Sequence, residues 1–220
     1  MEQVKPFQFM ECATILKATG KKARNIRELR KIMAGIGEES LFHHTCQYFL
    51  KGHILEYTND FAHWVGESLE ERALSERLSN IDPFALMGIG ELRKQILLGI
   101  DGYLEQFPEP RAAMPGDEFY FNESISMIFF SGIQARNLAE FLIAVRYIDP
   151  SSLYYHFYEA RIRHESDDFS TWVEEALEDA ELARKIRAID PFMYSIERIR
   201  SQLVEEVEKD LRREMEVILP

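Results

Sequence analysis

Phe7-Gln8-Phe9-Met10-Glu11 returns 112 positions later as Phe119-Tyr120-Phe121-Asn122-Glu123. The same offset holds without a gap from Phe7/Phe119 to Cys46/Tyr158, and 12 of those 40 pairs are identical. They include Gly20, Ala23, Arg24, Asn25, Glu28, Ser40, Leu41 and His44. With an offset of 108, residues 60 to 87 match again at 12 of 28 positions, among them Asp60, Phe61, Trp64, Val65 and the run Ile81-Asp82-Pro83-Phe84. Unrelated segments agree at roughly one position in fifteen, so the likeness is read as an internal duplication.

Working outward from this match, the chain divides into two helical units, 5–105 and 117–216, with 106–118 as a linker holding three prolines and a glycine. Helical periodicity dominates both. Asn25 to Ala34 places Ile26, Leu29, Ile32 and Met33 on one face and stops near Gly35. A second helix opens at Glu39 or Ser40 and runs to Gly52, and Asn59-Asp60 caps a third that carries Phe61, Trp64, Val65 and Leu69. A short fourth covers Arg72 to Leu78, and Asp82-Pro83 and Asp190-Pro191 start the last helix of each unit. Only the Phe-x-Phe openings read as short extended segments, which could pair with each other. The expected fold is therefore all-α, a tandem of two units of roughly 100 residues, whether or not they pack as one globular body.

Composition narrows the function. Of 220 residues, 46% are hydrophobic, enough for a core and too many for a disordered chain. The net charge of -12 opposes binding to a nucleic-acid backbone. No long apolar run suggests a membrane span, and the opening residues lack the order of a signal peptide, so a cytoplasmic location is expected. Cys12 and Cys46 have no metal-ligand spacing. The charge is uneven: residues 1–108 hold 13 bases and 15 acids, and the remainder 13 bases and 23 acids.

Three groups of residues are candidates for chemistry. The first is the polar set retained in both units: Arg24, Asn25, Glu28, His44 and Asp60, with Arg136, Asn137, Glu140, His156 and Asp168. Its plainest role is capping and a buried hydrogen-bonded network. The second is a metal set, His44, His53 and Asp60 or His156, His164 and Asp168, since two imidazoles and a carboxylate can hold a divalent ion that polarises water. His43 and His63 add imidazoles in the first unit only, where the second has Tyr155 and Thr171. The third is the basic stretch around Gly20, where Lys21, Lys22, Arg24 and Arg27 could hold an anionic metabolite beside a helix N-terminus. Over the whole basic run, Lys17 to Lys31, the matching positions of the second unit are mostly apolar, Phe129, Ile133, Leu142 and Ile143 among them, and are expected to form a helix buried between units or in an oligomer.

The combination Phe-x-Phe, Thr-Gly-x-x-Ala-Arg-Asn-Ile-x-Glu-Leu (19–29), Ser-Leu-Phe-His-His (40–44), Asn-Asp-Phe-Ala-x-Trp-Val (59–65) and Ile-Asp (81–82) resembles a bacterial family, domain of unknown function 5752. The resemblance covers nearly the whole chain and implies the duplicated helical architecture. Members sometimes occur beside sugar-active enzymes, which implies a link to carbohydrate metabolism, and no catalytic residue comes with the resemblance. The expectation is a non-enzymatic interaction or regulatory protein without a cofactor, a homo-oligomer or bound to a protein partner. A metal-dependent hydrolase or transferase and an anion binder are the alternatives.

Overall fold

The computed structural model describes residues 5–47, 57–191 and 194–218. Two 17-residue strands, β1 (Phe7–Ala23) and β2 (Phe119–Ala135), pair as a two-stranded antiparallel sheet. Between them lie α1 (Ile26–Met33), α2 (Glu38–Thr45), α3 (Asp60–Glu67), α4 (Arg72–Ser79), a 3₁₀ turn at Pro83–Ala85, and α5 (Gly88–Gln106). After β2 come α6 (Leu138–Tyr147), α7 (Pro150–Leu153), a π-helical segment Tyr154–Glu159, α8 (Ala160–His164), α9 (Asp168–Ala176), α10 (Ala180–Arg187) and α11 (Ile196–Ile218).

The chain forms two compact units. Thr14–Ser126 is the central unit; Met1–Ala13 together with Met127–Pro220 is the terminal unit. In the central unit α3 packs on α4, while α1, α2 and α4 pack on α5. In the terminal unit α9 packs on α10, and α6 and α10 pack on α11. The openings of the strands feed these cores. Phe119 and Phe121 are buried in the central unit among His44, Phe61 and Trp64. Phe7 and Phe9 are buried in the terminal unit against Phe141, His156 and Phe169. Burying each such ring is worth about 1.5–3 kcal/mol.

The Phe-x-Phe spacing explains the strand. Successive side chains of a strand point to opposite faces, so residues two apart share one, whereas a helix turns them well apart. Phe7 and Phe9 are buried while Gln8 is exposed, and Phe119 and Phe121 are buried while Tyr120 is exposed. Each strand carries a glycine with positive φ, +73° at Gly20 and +86° at Gly132, a conformation that costs a side chain about 1–2 kcal/mol. Asn25 and Asn137 then end the strands and start helices. Asn25 Oδ1 accepts the Glu28 amide at 2.9 Å while Glu28 Oε2 accepts the Arg24 amide at 2.8 Å; Asn137, Glu140 and Arg136 repeat both bonds at the same distances. This reciprocal capping satisfies backbone donors that a helix start leaves open.

The expectation of an all-α, tandemly duplicated chain is overturned. Two full-length strands stand where short extended segments were expected, which makes the fold a mixed α/β one. Nor do contiguous stretches each make their own helical bundle, because the first strand's opening packs on residues such as His156, 146 positions after Met10. The apolar residues Phe129 and Ile133 lie on β2, not on a buried helix, and are 46% and 38% exposed. The helix expected from Pro191 starts at Ile196, and the one expected from Asp82 is a 3₁₀ turn followed by α5. The part of the second helix beyond residue 47 lies outside the described residues.

Candidate functional site

A cavity of about 370 Å³ in the central unit is lined by His43, His44, Asp60, His63, Trp64 and Glu67, with Phe119, Tyr120 and Asn122 of β2. Its floor is built by α2 and α3. The cap residue Asn59 accepts the Ala62 amide at 2.8 Å, which fixes the first turn of α3 and places Asp60 at its head. Asp60 Oδ2 lies 2.7 Å from His44 Nδ1, and His44 Nε2 accepts the backbone N–H of Asn122 at 2.9 Å. These two bonds define the imidazole: Nε2 accepts, so in the neutral ring Nδ1 carries the proton and donates it to Asp60. Ser40 Oγ donates to the Asn122 carbonyl at 2.7 Å, so one helix satisfies both backbone groups of one residue on the sheet edge. Trp64 Nε1 donates to the Asp117 carbonyl at 2.7 Å.

Around this pair stand two imidazoles, His43 and His63, whose counterparts in the second half of the chain are Tyr155 and Thr171. His43, 7% exposed, stands with its ring 4.8 Å from that of His44, and its Nδ1 lies 3.0 Å from Gln47 Oε1. Tyr57 stacks on His63 at 5.1 Å and donates to Glu67 at 2.6 Å. A nitrogen of His43, a nitrogen of His44 and an oxygen of Asp60 all lie within 4.8 Å of one another.

The terminal unit builds the same clasp on other residues. His156 Nδ1 lies 2.7 Å from Asp168 Oδ2, and Nε2 accepts the Met10 amide at 2.8 Å. Trp172 Nε1 donates to the Lys5 carbonyl at 2.8 Å. His156 sits within the π-helical segment, followed there by a wholly buried Phe157. Tyr155 occupies the position that His43 holds in the central unit; burial, and secondarily the charge of Asp168, pushes its hydroxyl above the usual tyrosine range. Nearby, Cys12 is pushed up to about 12, by burial first and then by the charges of Glu159 and Asp149. That thiol is no nucleophile near neutral pH.

The residues singled out from the sequence thus separate. Arg24, Asn25 and Glu28, with Arg136, Asn137 and Glu140, serve helix caps, whereas His44/Asp60 and His156/Asp168 are clasps on strand amides. His164 is exposed at the end of α8, and no metal-holding group is found around it among the described residues; His53 lies outside them. His43 and Gln47 were not singled out as ligands. The usable signal was difference between the two halves of the chain and not retention. Lys21 and Lys22 lie on β1, and several bases there face acids: Lys22 pairs with Glu118 at 3.2 Å, Arg24 lies 3.8 Å from the same carboxylate, and Lys17 pairs with Glu123 at 2.8 Å. Arg27 donates to the Pro108 carbonyl. Such pairing blunts the attraction for an outside anion. A second cavity of about 470 Å³, in the terminal unit, is lined by Arg184, Lys185, Tyr194, Glu205 and Glu206 among others, a mixed-charge surface that no sequence motif marks.

No helix among the described residues is long and apolar enough to cross a membrane. Fold and site together define a mixed α/β protein in which a histidine–aspartate pair fastens each strand opening to helices. The chain belongs to the family of unknown function DUF5752, whose model matches residues 4–208. It is similar to OrfY from Thermoproteus tenax, whose structure is solved, with 32% identity and a TM-score of 0.80 over 93% of this chain and 95% of that one. No curated protein matches the chain.

Proposed function

We propose that the protein acts by association and not by catalysis, and that its partner is a second copy of itself, docked on β2. One observation carries this reading. From Ser124 to Ala135 the strand has no charged residue, and Met127, Ile128, Phe129 and Phe130 are 51%, 47%, 46% and 45% exposed. Adjacent strand residues point to opposite faces, so both faces of this stretch present apolar surface, which monomers seldom leave in one patch. The sheet has two strands, so one edge of β2 has no strand partner among the described residues.

A second copy fits that edge for electrostatic and geometric reasons. The chain carries -12, and two copies repel least where charge is absent. A strand laid antiparallel against itself is related by a two-fold axis, the symmetry of most homodimers. The strand β1 by contrast carries Lys17, Lys21 and Lys22, charges of the kind that discourage edge pairing. The histidines support a non-catalytic role, because both ring nitrogens of His156 are engaged in the clasp. Light scattering across the micromolar range should give twice the monomer mass, falling to the monomer in the variant Ile128→Lys/Phe130→Lys. A wild-type chain that stays monomeric throughout that range, or a variant that dimerises as tightly as wild type, refutes the proposal.

A further inference from the structure

We infer that the terminal unit binds a free α-amino acid in the cavity of about 470 Å³ between α10 and α11. That volume lies within the range of small-molecule sites, about 300–1,000 Å³. The two helices line the cavity with opposite charge: α10 supplies Arg184 and Lys185, α11 supplies Glu205 and Glu206, and Asp190 adds a carboxylate just beyond α10. A lone cation is repelled by one wall and a lone anion by the other, so the ligand that both walls attract carries one charge of each sign.

The central unit packs the matching pair of helices without leaving this space. In sequence α4 matches α10 at an offset of 108 and α5 matches α11 at 107. The contacts follow the same match, since Arg200 of α11 donates to the Val145 carbonyl as Arg93 of α5 donates to that of Met33. Arg77 crosses from α4 to the Gly99 carbonyl of α5 at 3.2 Å, and a Cβ added at Gly99 would stand 3.5 Å from Arg77 Cδ. The matching residues of the terminal unit are Lys185 and Glu206. Lys185 turns back along its own helix to Glu181 at 2.9 Å, and Glu206 pairs with Lys209 at 2.9 Å, so neither bridges the gap. Arg184, where α4 has Glu76, makes no ion pair among the described residues.

Gln202 sets the chemistry of the cationic end. Its Oε1 is buried and has no hydrogen-bond partner among the described residues, a costly state for a carbonyl oxygen. Turning the amide about its soft terminal torsion brings that oxygen to the cavity Gln202 lines, where it accepts an N–H. The cationic end is therefore an ammonium that carries hydrogens, held between Gln202 and the carboxylates of α11. The Arg184 fork takes the anionic end as a bidentate pair, with Lys185 beside it. A carboxylate is favoured there over a phosphate, whose charge of about −1.5 to −2 the acids of the lining oppose.

The test uses the full chain and the common L-amino acids, each at about 5 mM in a thermal-melt screen, followed by calorimetry on those that stabilise. At least one should raise the melting temperature and bind with a Kd below about 1 mM. Its N-acetyl and carboxamide derivatives, each lacking one of the two charges, should bind at least about tenfold more weakly. Arg184→Glu, which copies the central unit at an exposed position, should weaken binding about 10- to 100-fold while its circular dichroism stays that of wild type. The assignment is overturned if no amino acid binds below about 1 mM, if either derivative binds as tightly as its parent, or if Arg184→Glu binds like wild type. Should Arg184→Glu fail to fold, the double variant Lys185→Arg/Glu206→Gly, which closes the cleft in the manner of Arg77 and Gly99, decides in its place: lost binding supports the site, and retained binding refutes it.

Discussion

Replacing His156 by alanine tests whether the histidine clasps hold the strand openings. The ring is 3% exposed, accepts the Met10 amide at 2.8 Å, and lies 4.8 Å from Phe7 and 5.5 Å from Phe169. Its removal leaves a buried amide without an acceptor, at about 1–3 kcal/mol. It also leaves a cavity beneath the phenylalanines, and truncations of this kind add about 2 kcal/mol more. Asp168, with its side chain 37% exposed, is rehydrated once its partner is gone and adds little. The expected cost is about 3–4 kcal/mol, concentrated on residues 5–13. Since 1.4 kcal/mol is a factor of ten, the Met10 amide should exchange with solvent at least about 100-fold faster, read by hydrogen exchange under native conditions. His156→Gln restores an acceptor at similar reach and should recover about 1 kcal/mol of the loss. If His156→Ala leaves exchange of the Met10 amide within about threefold of wild type, the clasp does not hold the strand and the reasoning fails.

Gly132→Ala should destabilise the protein by about 1–2 kcal/mol in chemical denaturation, because φ is +86° and the added methyl meets nothing within 4 Å, leaving backbone strain as the whole cost; a change below about 0.3 kcal/mol would contradict that. Cys12 should resist alkylation at pH 8 in the folded protein and react at an ordinary rate in denaturant. Its thiol, raised to about 12 by burial, exists almost entirely in the protonated form at that pH, and rapid labelling of the native chain would show the site to be open.

How far the sequence revealed this structure depends on the distance over which each residue acts. Local chemistry was legible: Asn25 and Asn59 cap helices as their positions indicated, and Ile26, Leu29 and Met33 form the buried face of α1. The strands were underestimated because their pairing is remote, as in the bond from Ser131 Oγ to the Phe9 carbonyl, 122 positions apart. Their middle stretches also lack the alternation that marks a half-buried strand, since Ala13 to Ala18 and Met127 to Phe130 are exposed on both faces. The candidate site was half legible. His44 and Asp60 were found as retained residues, whereas their hydrogen-bond partner, the Asn122 backbone, has no side-chain signature at all. His43 was discounted because Tyr155 replaced it, although the difference is what sets the central cavity apart.

The discontinuity of the terminal unit bears on how the protein is made. Synthesis runs from the N-terminus, so the chain needed for the central unit, Thr14–Ser126, is complete well before that needed for the terminal one. Phe7 and Phe9 are made more than about 130 residues before the rings that enclose them, Phe141 and Phe169. Throughout that interval two aromatic side chains wait without their pocket, so a chaperone that recognises exposed apolar segments would find a target in the Phe7-Gln8-Phe9 stretch.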